Sequence, residues 1–162
     1  MAPSDDVTRT IELLFFAYRA FTHDPDAHLE SYGFGRAHHR VLHFVSRQPG
    51  MRVADLLDIL AITKQSLAPV LKQLVDKGFI EQHEGAHDRR ERRLHVTAAG
   101  ARLSDDLKAL QAQRLETAFA SLPAPTRAHV EAFLFAIIDE QDREAVAALL
   151  PDVASGGIDP KR

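Results

Sequence analysis

The segment 61–78 constrains the fold of this chain most, because it carries its own signals for where a helix begins and ends. Thr63 is a good helix N-cap, since its hydroxyl can accept a hydrogen bond from a backbone N–H one turn later, and Gly78 can adopt the left-handed conformation that ends helices. Between them, apolar residues at helical spacing define one buried face, formed by Leu67, Val70, Leu71 and Leu74. The sequence therefore predicts an amphipathic helix with a polar, basic exposed face.

The exposed face of this helix carries residue types that read DNA. A glutamine can form paired hydrogen bonds with adenine N6 and N7, a lysine can reach guanine O6 and N7 or a phosphate, and a helix N-terminus attracts phosphate. Taken alone, the segment would be explained better by an ordinary amphipathic surface helix. Together with its neighbours we interpret it as a DNA recognition helix, with contact residues Thr63, Lys64, Gln65, Ser66, Pro69, Lys72 and Gln73.

Pro69 lies in the middle of this predicted helix. It has no N–H for the carbonyl of Gln65, a defect that costs roughly 3 kcal/mol in a regular helix interior. Either the helix is distorted there, or its regular part begins near Ser66, which would put Pro69 in the tolerated first turn. We favour a continuous helix with a local distortion.

The segments around this helix predict a helix-turn-helix followed by a wing. Helices are predicted at residues 36–48 and 53–60, and a tight turn at 61–63 joins the second of them to the recognition helix. Downstream, the segments 79–85 and 92–96 alternate in polarity and predict a two-stranded hairpin. The residues at the tip of this wing are mostly arginines: Asp88, Arg89, Arg90, Arg92 and Arg93.

Charge is unevenly distributed along the chain. The net charge is −3, but residues 35–97 contain eleven Lys and Arg against seven Asp and Glu, whereas the remainder of the chain is acidic. A basic module between acidic flanks is typical of nucleic-acid binding.

Helices with apolar seams are predicted on both sides of the basic module. Residues 5–22 are predicted to form a first helix. The segment 23–35 breaks the pattern at Pro25 and two glycines and is expected to be a connector or a short turn of helix. Further helices are expected at 97–122 and from 125 to about 150. One small module cannot bury all these seams, so we expect an intertwined homodimer rather than a monomeric bundle. The expected organisation is an N-terminal dimerisation helix and connector (1–34), a DNA-binding lobe (35–97), C-terminal dimerisation helices (98–150) and a disordered tail (151–162).

Composition excludes several other classes of protein. Without cysteine the chain has no disulfides and no thiolate zinc sites. It lacks the apolar run of about 20 residues that a membrane helix needs, and its start, MAPSDD, has no signal-peptide character, so we expect a cytoplasmic protein without a membrane partner. No catalytic motif or cofactor fingerprint is present, which argues against an enzyme.

In this order the segments GRAHHRVLHFV, PGMRVADLLDILAITKQSLAPVLKQLVDKGFIE and HDRRERRLHVTAAG resemble the multiple-antibiotic-resistance regulator (MarR) family of bacterial transcription factors. The resemblance covers about residues 35–100. Besides the helix-turn-helix it includes the signature D-x-R followed by VT-x-x-G, formed here by Asp88, Arg90, Val96, Thr97 and Gly100.

The resemblance implies a mainly α fold with a small β-hairpin, namely a winged helix-turn-helix that acts as a homodimer on a pseudo-palindromic DNA operator. The recognition helix would enter the major groove, and the wing, with Arg90 held by Asp88, would reach the minor groove. The family often has an arginine where this chain has Pro69, which puts base readout at that position in doubt and shifts it to Gln65, Ser66, Lys72 and Gln73.

The family also implies regulation, usually as a repressor that a small aromatic or acidic molecule releases from DNA. The pocket expected here is formed by Phe15, Tyr18, Arg36, His39, Arg40 and His43. Two alternatives stay open. His39 and His43 lie one turn apart and could share a metal, although the neighbouring arginines would repel a cation. A winged helix could also serve as a protein-binding module.

Overall fold

The computed structural model describes residues 4–85 and 91–150. These residues form seven helices and three short strands, a mainly α fold as predicted. They group into two compact units that divide between Arg114 and Leu115, inside the fifth helix. In chain order the elements are α1 (Asp5–Glu30), α2 (Arg36–Arg47), β1 (Met51–Arg52), α3 (Val53–Leu60), α4 (Lys64–Asp76), β2 (Ile80–Glu84), β3 (Arg92–Val96), α5 (Ala98–Ala120), α6 (Thr126–Ala136) and α7 (Glu140–Leu149).

The first unit has one hydrophobic core. It lies between α2, α3 and α4, and side chains from the end of α1, from the sheet and from the start of α5 complete it. Its largest fully buried members are mostly leucines, whose removal from water supplies the main driving force for folding: Leu29, Leu42, Leu56, Leu67, Leu74, Ile80, Leu94, Leu103 and Leu107.

Helix α4 begins and ends where the sequence predicts. The Thr63 hydroxyl accepts a hydrogen bond from the backbone N–H of Ser66 at 3.2 Å, and Gly78 has a φ of +75°. Leu67, Leu71 and Leu74 are buried. The helix runs through Pro69 without interruption. The continuous helix is therefore correct, and the alternative start near Ser66 is wrong because the first helical residue is Lys64.

The sheet has one strand more than predicted. The expected hairpin is present as β2 and β3, which pair antiparallel with Ile80 opposite Val96. β1 adds to the other side of β3, with Met51 opposite Leu94, so that the strand order is β1-β3-β2. A strand of two residues has no alternation that a sequence pattern could reveal.

The break predicted after residue 22 is wrong, since α1 continues through Pro25 to Glu30. The additional turns bury Pro25 and Leu29, and Leu29 is completely inaccessible to solvent. Burial of these side chains offsets the one backbone hydrogen bond that Pro25 removes.

The C-terminal region also differs from the prediction. The single helix expected from residue 125 to about 150 is two helices, because Asp139 adopts a non-helical backbone and becomes the N-cap of α7. In α5 the hydroxyl of Thr97 accepts a hydrogen bond from the N–H of Gly100 at 3.1 Å, which confirms Thr97 as its cap. No helix in the described parts of the chain is long and apolar enough to cross a membrane.

Candidate nucleic-acid interface

The side chains opposite the buried leucines of α4 form one polar, solvent-exposed surface. It consists of the seven residues predicted from the sequence to contact DNA together with Ala68: Thr63, Lys64, Gln65, Ser66, Ala68, Pro69, Lys72 and Gln73. Because the leucines of α4 anchor the helix in the core, this surface is held on a rigid support.

The N-terminus of α4 is positioned by a tight connection to α3. Ala61 ends α3 with a left-handed backbone, φ +51°, and the N–H of Ile62 donates to the carbonyl of Leu57 at 3.3 Å. Arg52 and Asp55 fix the other end of α3 through an ion pair, which lowers the pKa of the Asp55 carboxyl because the Arg52 guanidinium donates hydrogen bonds to it. The turn and the cap together fix the position of the N-terminus of α4, the end of a helix that attracts an anion such as phosphate.

Two exposed residues of α4 have partners within the chain. The Lys72 ammonium pairs with Asp76 one turn later, and the Gln73 amide oxygen lies 2.6 Å from Nε2 of His38 on α2. The contact between His38 and Gln73 links two helices and could not be foreseen from the spacing of residues in the sequence.

The base of the wing lies beside α4 in the same unit. Arg92 begins β3, is exposed, and lies 3.5 Å from Glu84 across the hairpin. Arg93 donates to the carbonyl of Gly50 at 3.1 Å and pairs with Glu91. The predicted tip residues Asp88, Arg89 and Arg90 lie outside the described residues.

A cavity of about 300 Å³ lies between α1, α2 and α5 in the first unit. Five of the six residues predicted for a ligand pocket line it: Tyr18, Arg36, His39, Arg40 and His43. Phe15, the sixth, is not among the lining residues and is 72% exposed. The sequence did not predict four of the lining residues, namely Phe21 and Thr22 on α1, Phe44 on α2 and Gln111 on α5.

Both arginines at the cavity are held by other groups. Arg36 pairs with Asp26 at 2.7 Å, its guanidinium lies 5.5 Å from the ring centre of Tyr18, and the hydrogen bond to Asp26 raises its pKa. Arg40 donates to the carbonyl of Leu60 at 3.1 Å. Leu60 is the last residue of α3, so Arg40 connects the cavity to the helix-turn-helix.

The two histidines of the cavity are half-buried, and burial lowers the pKa of both. The charge of His43 acts on His39 in the same direction, and those of Arg47 and Lys108 act on His43. Among residues 4–85 and 91–150 there is no group of three His, Cys, Asp or Glu side chains that could hold a metal ion.

Helices α2, α3 and α4, the turn at Ala61 and the sheet that follows define a winged helix-turn-helix. Comparison with known proteins agrees with this fold.

The sequence model of the MarR family matches residues 32–91. Over 115 residues the chain is 46% identical to the HTH-type transcriptional regulator PetP of Rhodobacter capsulatus, covering 71% of this chain and 69% of that protein. The chain therefore belongs to the MarR family: it is a transcriptional regulator that binds DNA, and not an enzyme.

Solved structures show the same fold. The structure of Streptococcus pneumoniae FabT in complex with DNA has a TM-score of 0.71 at 17% identity, and the similarity covers 91% of this chain and 99% of that one. A MarR transcriptional regulator from Methanosarcina mazei Go1 has a TM-score of 0.61 at 26% identity, covering 76% of this chain and 87% of that one.

Proposed function

We propose that the chain acts as a homodimer on a pseudo-palindromic operator, as a repressor that a small aromatic or acidic molecule releases from DNA. The observation that carries this proposal is the connection through Arg40 between the ligand-sized cavity and the helix-turn-helix. Through this one side chain, binding of a ligand in the cavity could affect binding of DNA by the helix-turn-helix.

The DNA contacts are assigned to the exposed surface of α4 and to the wing. Gln65 and Ser66 lie in the first turn, where they would face base edges in the major groove, and Lys64 and Lys72 would contact phosphate or guanine. Arg92 at the base of the wing, with Asp88, Arg89 and Arg90 at its tip, would contact the neighbouring minor groove. In a dimer the two recognition helices would meet half-sites about 10 bp apart on one face of the duplex.

Dimerisation is supported by the apolar surface of α1. Seven of its large hydrophobic side chains are between 37% and 72% exposed: Val7, Ile11, Leu13, Leu14, Phe15, Phe16 and Tyr18. Phe133 and Leu134 of α6 and Ile137, which follows that helix, are also exposed. Contiguous apolar surface of this kind is unusual on a monomer and marks an interface. A second copy of the chain is the partner that we infer, because the same surfaces then cover each other.

Ligand response is supported by the chemistry of the cavity. Aromatic and aliphatic atoms line most of it, while two guanidinium groups and two imidazoles supply positive charge or hydrogen-bond donors, a combination that suits an aromatic acid. An acid that draws Arg40 toward itself would withdraw it from the Leu60 carbonyl at the end of α3. The loss of that bond would shift the start of α4 and lower the affinity for DNA.

Selection of bound duplexes from a random pool, followed by a salt series on the selected sequence, tests the DNA part of the proposal. We expect a pseudo-palindrome and an affinity that falls steeply with salt as counterions are released. Absence of an enriched sequence, or an affinity that does not change with salt, would contradict it. A winged helix that served only to bind protein would behave in this second way.

A further inference from the structure

His38 forms two hydrogen bonds that together determine where its protons lie. The backbone N–H of Gly35, the N-cap of α2, donates to Nδ1 of His38 at 3.1 Å. Nε2 lies 2.6 Å from the amide oxygen of Gln73. A backbone N–H can only donate, so Nδ1 must be an unprotonated acceptor. Nε2 therefore carries the proton of the neutral imidazole and donates to Gln73.

The imidazole is held in this orientation by its surroundings. It stacks on Phe34, with ring centres 4.6 Å apart and an interplanar angle of 16°. Phe34 is itself buried and packs edge-on against Phe79, which follows α4. His38 is the third residue of α2, where a side chain can reach back to the N-cap, so a cap and an aromatic stack fix its position.

We propose that His38 is a positioning residue for DNA recognition, which holds Gln73 with its amide oxygen toward α2 and its amide N–H groups free to meet DNA. The inference rests on the proposed contact between Gln73 and DNA. An amide can be turned by exchange of its oxygen and nitrogen, but the donor at Nε2 accepts only the orientation with the oxygen toward it. Gln73 is therefore presented to DNA as a donor.

This orientation determines what Gln73 recognises. Paired recognition of adenine requires the oxygen and the nitrogen of the amide together at the base edge. With its oxygen engaged by His38, Gln73 instead donates to an acceptor: a phosphate oxygen, guanine O6 or N7, or thymine O4. The pairing of glutamine with adenine expected from the sequence is thus left to Gln65, in the first turn of α4.

Double-mutant cycles on the selected duplex test the proposal. His38→Phe keeps an aromatic ring for Phe34 but removes both nitrogens, and Gln73→Ala removes the amide. We expect each variant to weaken binding about three- to tenfold, as for loss of one or two hydrogen bonds. The affinity of the double variant for the duplex should be no lower than that of the single variant with the lower affinity, because His38 acts through Gln73. The matched control combines His38→Phe with Lys72→Ala at the neighbouring position, where the two losses should multiply.

The outcomes separate this inference from the proposed function. If wild-type protein selects no sequence, the proposed function fails. Suppose instead that the wild type selects a sequence and that Lys72→Ala weakens binding to it. If the losses of affinity from His38→Phe and Gln73→Ala then multiply, or if Gln73→Ala has no effect on affinity, only the role of His38 fails. Urea unfolding of each variant verifies that it is folded under the binding conditions, so that a change in Kd reports binding.

A measurement on the wild-type protein needs no variant. Nitrogen-15 chemical shifts of the His38 imidazole distinguish the two neutral forms, and we expect protonated Nε2 and unprotonated Nδ1 in the free protein and in the DNA complex. Unprotonated Nε2 in either state would overturn the proposal, because Nε2 could then no longer donate to Gln73.

Discussion

His39 and His43 lie one turn apart on α2, and burial lowers the pKa of both below the ordinary value of 6.5. The unfolded chain therefore binds more protons than the folded chain as pH falls below 6.5, and the free energy of unfolding should decrease between pH 7.5 and 5.5. Urea unfolding across this range measures the decrease. The lowered pKa values of Asp24 and Asp55 affect stability only at more acidic pH.

A double variant isolates this contribution. His39→Gln with His43→Gln keeps polar side chains that do not titrate, and it should flatten the dependence of the unfolding free energy on pH. If the unfolding free energy of the variant depends on pH as steeply as that of the wild type, groups other than His39 and His43 cause the decrease.

Pro69 occupies an exposed position of α4, and we predict that Pro69→Arg changes the preferred operator sequence. An arginine there could reach guanine O6 and N7, a contact worth about 1–3 kcal/mol of discrimination between bases. Selection from a random duplex pool measures the change. Pro69→Ala is the matched control, because both variants restore a backbone N–H for the carbonyl of Gln65 but only one adds a guanidinium. Identical preferences in the two variants would show that the position does not face the bases.

At the scale of secondary-structure elements, Gly100 explains part of the signature that runs from β3 into α5. A Cβ atom at Gly100 would lie 2.0 Å from the carbonyl oxygen of Phe79, far inside van der Waals contact. That carbonyl also accepts a hydrogen bond from the N–H of Thr97 at 3.1 Å, so the backbone is held there. Only glycine lets α5 start this close to the segment between α4 and β2.

We therefore predict that Gly100→Ala destabilises the protein by several kcal/mol, since a backbone atom and not a flexible side chain must shift. Chemical denaturation measures the loss. Gly35→Ala is the matched control, because a Cβ there meets no atom within 4 Å, and we expect it to change stability by about 1 kcal/mol or less. Equal effects of the two substitutions would contradict the steric explanation.

The connection between the cavity and α3 gives a prediction at the same scale. Arg40→Gln removes the guanidinium that donates to Leu60, and with it the charge that would attract an acid. With benzoate as the probe, we expect calorimetry to show binding about tenfold weaker or more in the variant, as for loss of a charged hydrogen bond. We also expect benzoate to lower the DNA affinity of the wild type more than that of the variant. A variant that binds and responds to benzoate like the wild type would remove Arg40 from the mechanism.

Elements that carry their own start and end signals could be predicted from the sequence. Thr63 and Gly78 delimit α4. The resemblance to the MarR family led to five of the nine residues that line the cavity. Features that depend on tertiary packing could not. The extension of α1 past Pro25 depends on the burial of Leu29, and β1 forms only because β3 lies beside it. The contact between His38 and Gln73 joins two residues that are 35 positions apart in the sequence.

At the scale of the whole molecule, charge and apolar surface lie in different parts of the chain. The basic residues are concentrated in the module that holds α4 and the wing, whereas the large exposed apolar side chains of the described residues lie in the first part of α1 and from Leu115 onward. The part of the chain proposed to bind DNA is thus separate from the helices proposed to bind a second copy. A variant of α1 should therefore change DNA binding only through the oligomeric state.

Ile11→Glu tests this separation. Ile11 belongs to the apolar stripe of α1 and is 43% exposed, so a glutamate there should leave the fold of one chain intact. In a dimer it would bury charge against apolar side chains, which is costly. We expect sedimentation to show a dimer for the wild type and a monomer for the variant at micromolar concentration.

DNA binding by the same variant completes the test. A monomer contacts one half-site and about half as many phosphates, so its affinity should fall and the slope of log K against log salt should decrease by about half. Arg9→Gln, two residues earlier in α1, changes the net charge by the same amount without placing a charge at an apolar position, and it serves as the matched control. It should stay dimeric and keep the full slope, because its exposed ion pair with Asp6 contributes little. If the Ile11→Glu protein is still a dimer, α1 is not part of the interface. If it is a monomer but the slope of log K against log salt is unchanged, the wild type does not bind both half-sites as a dimer.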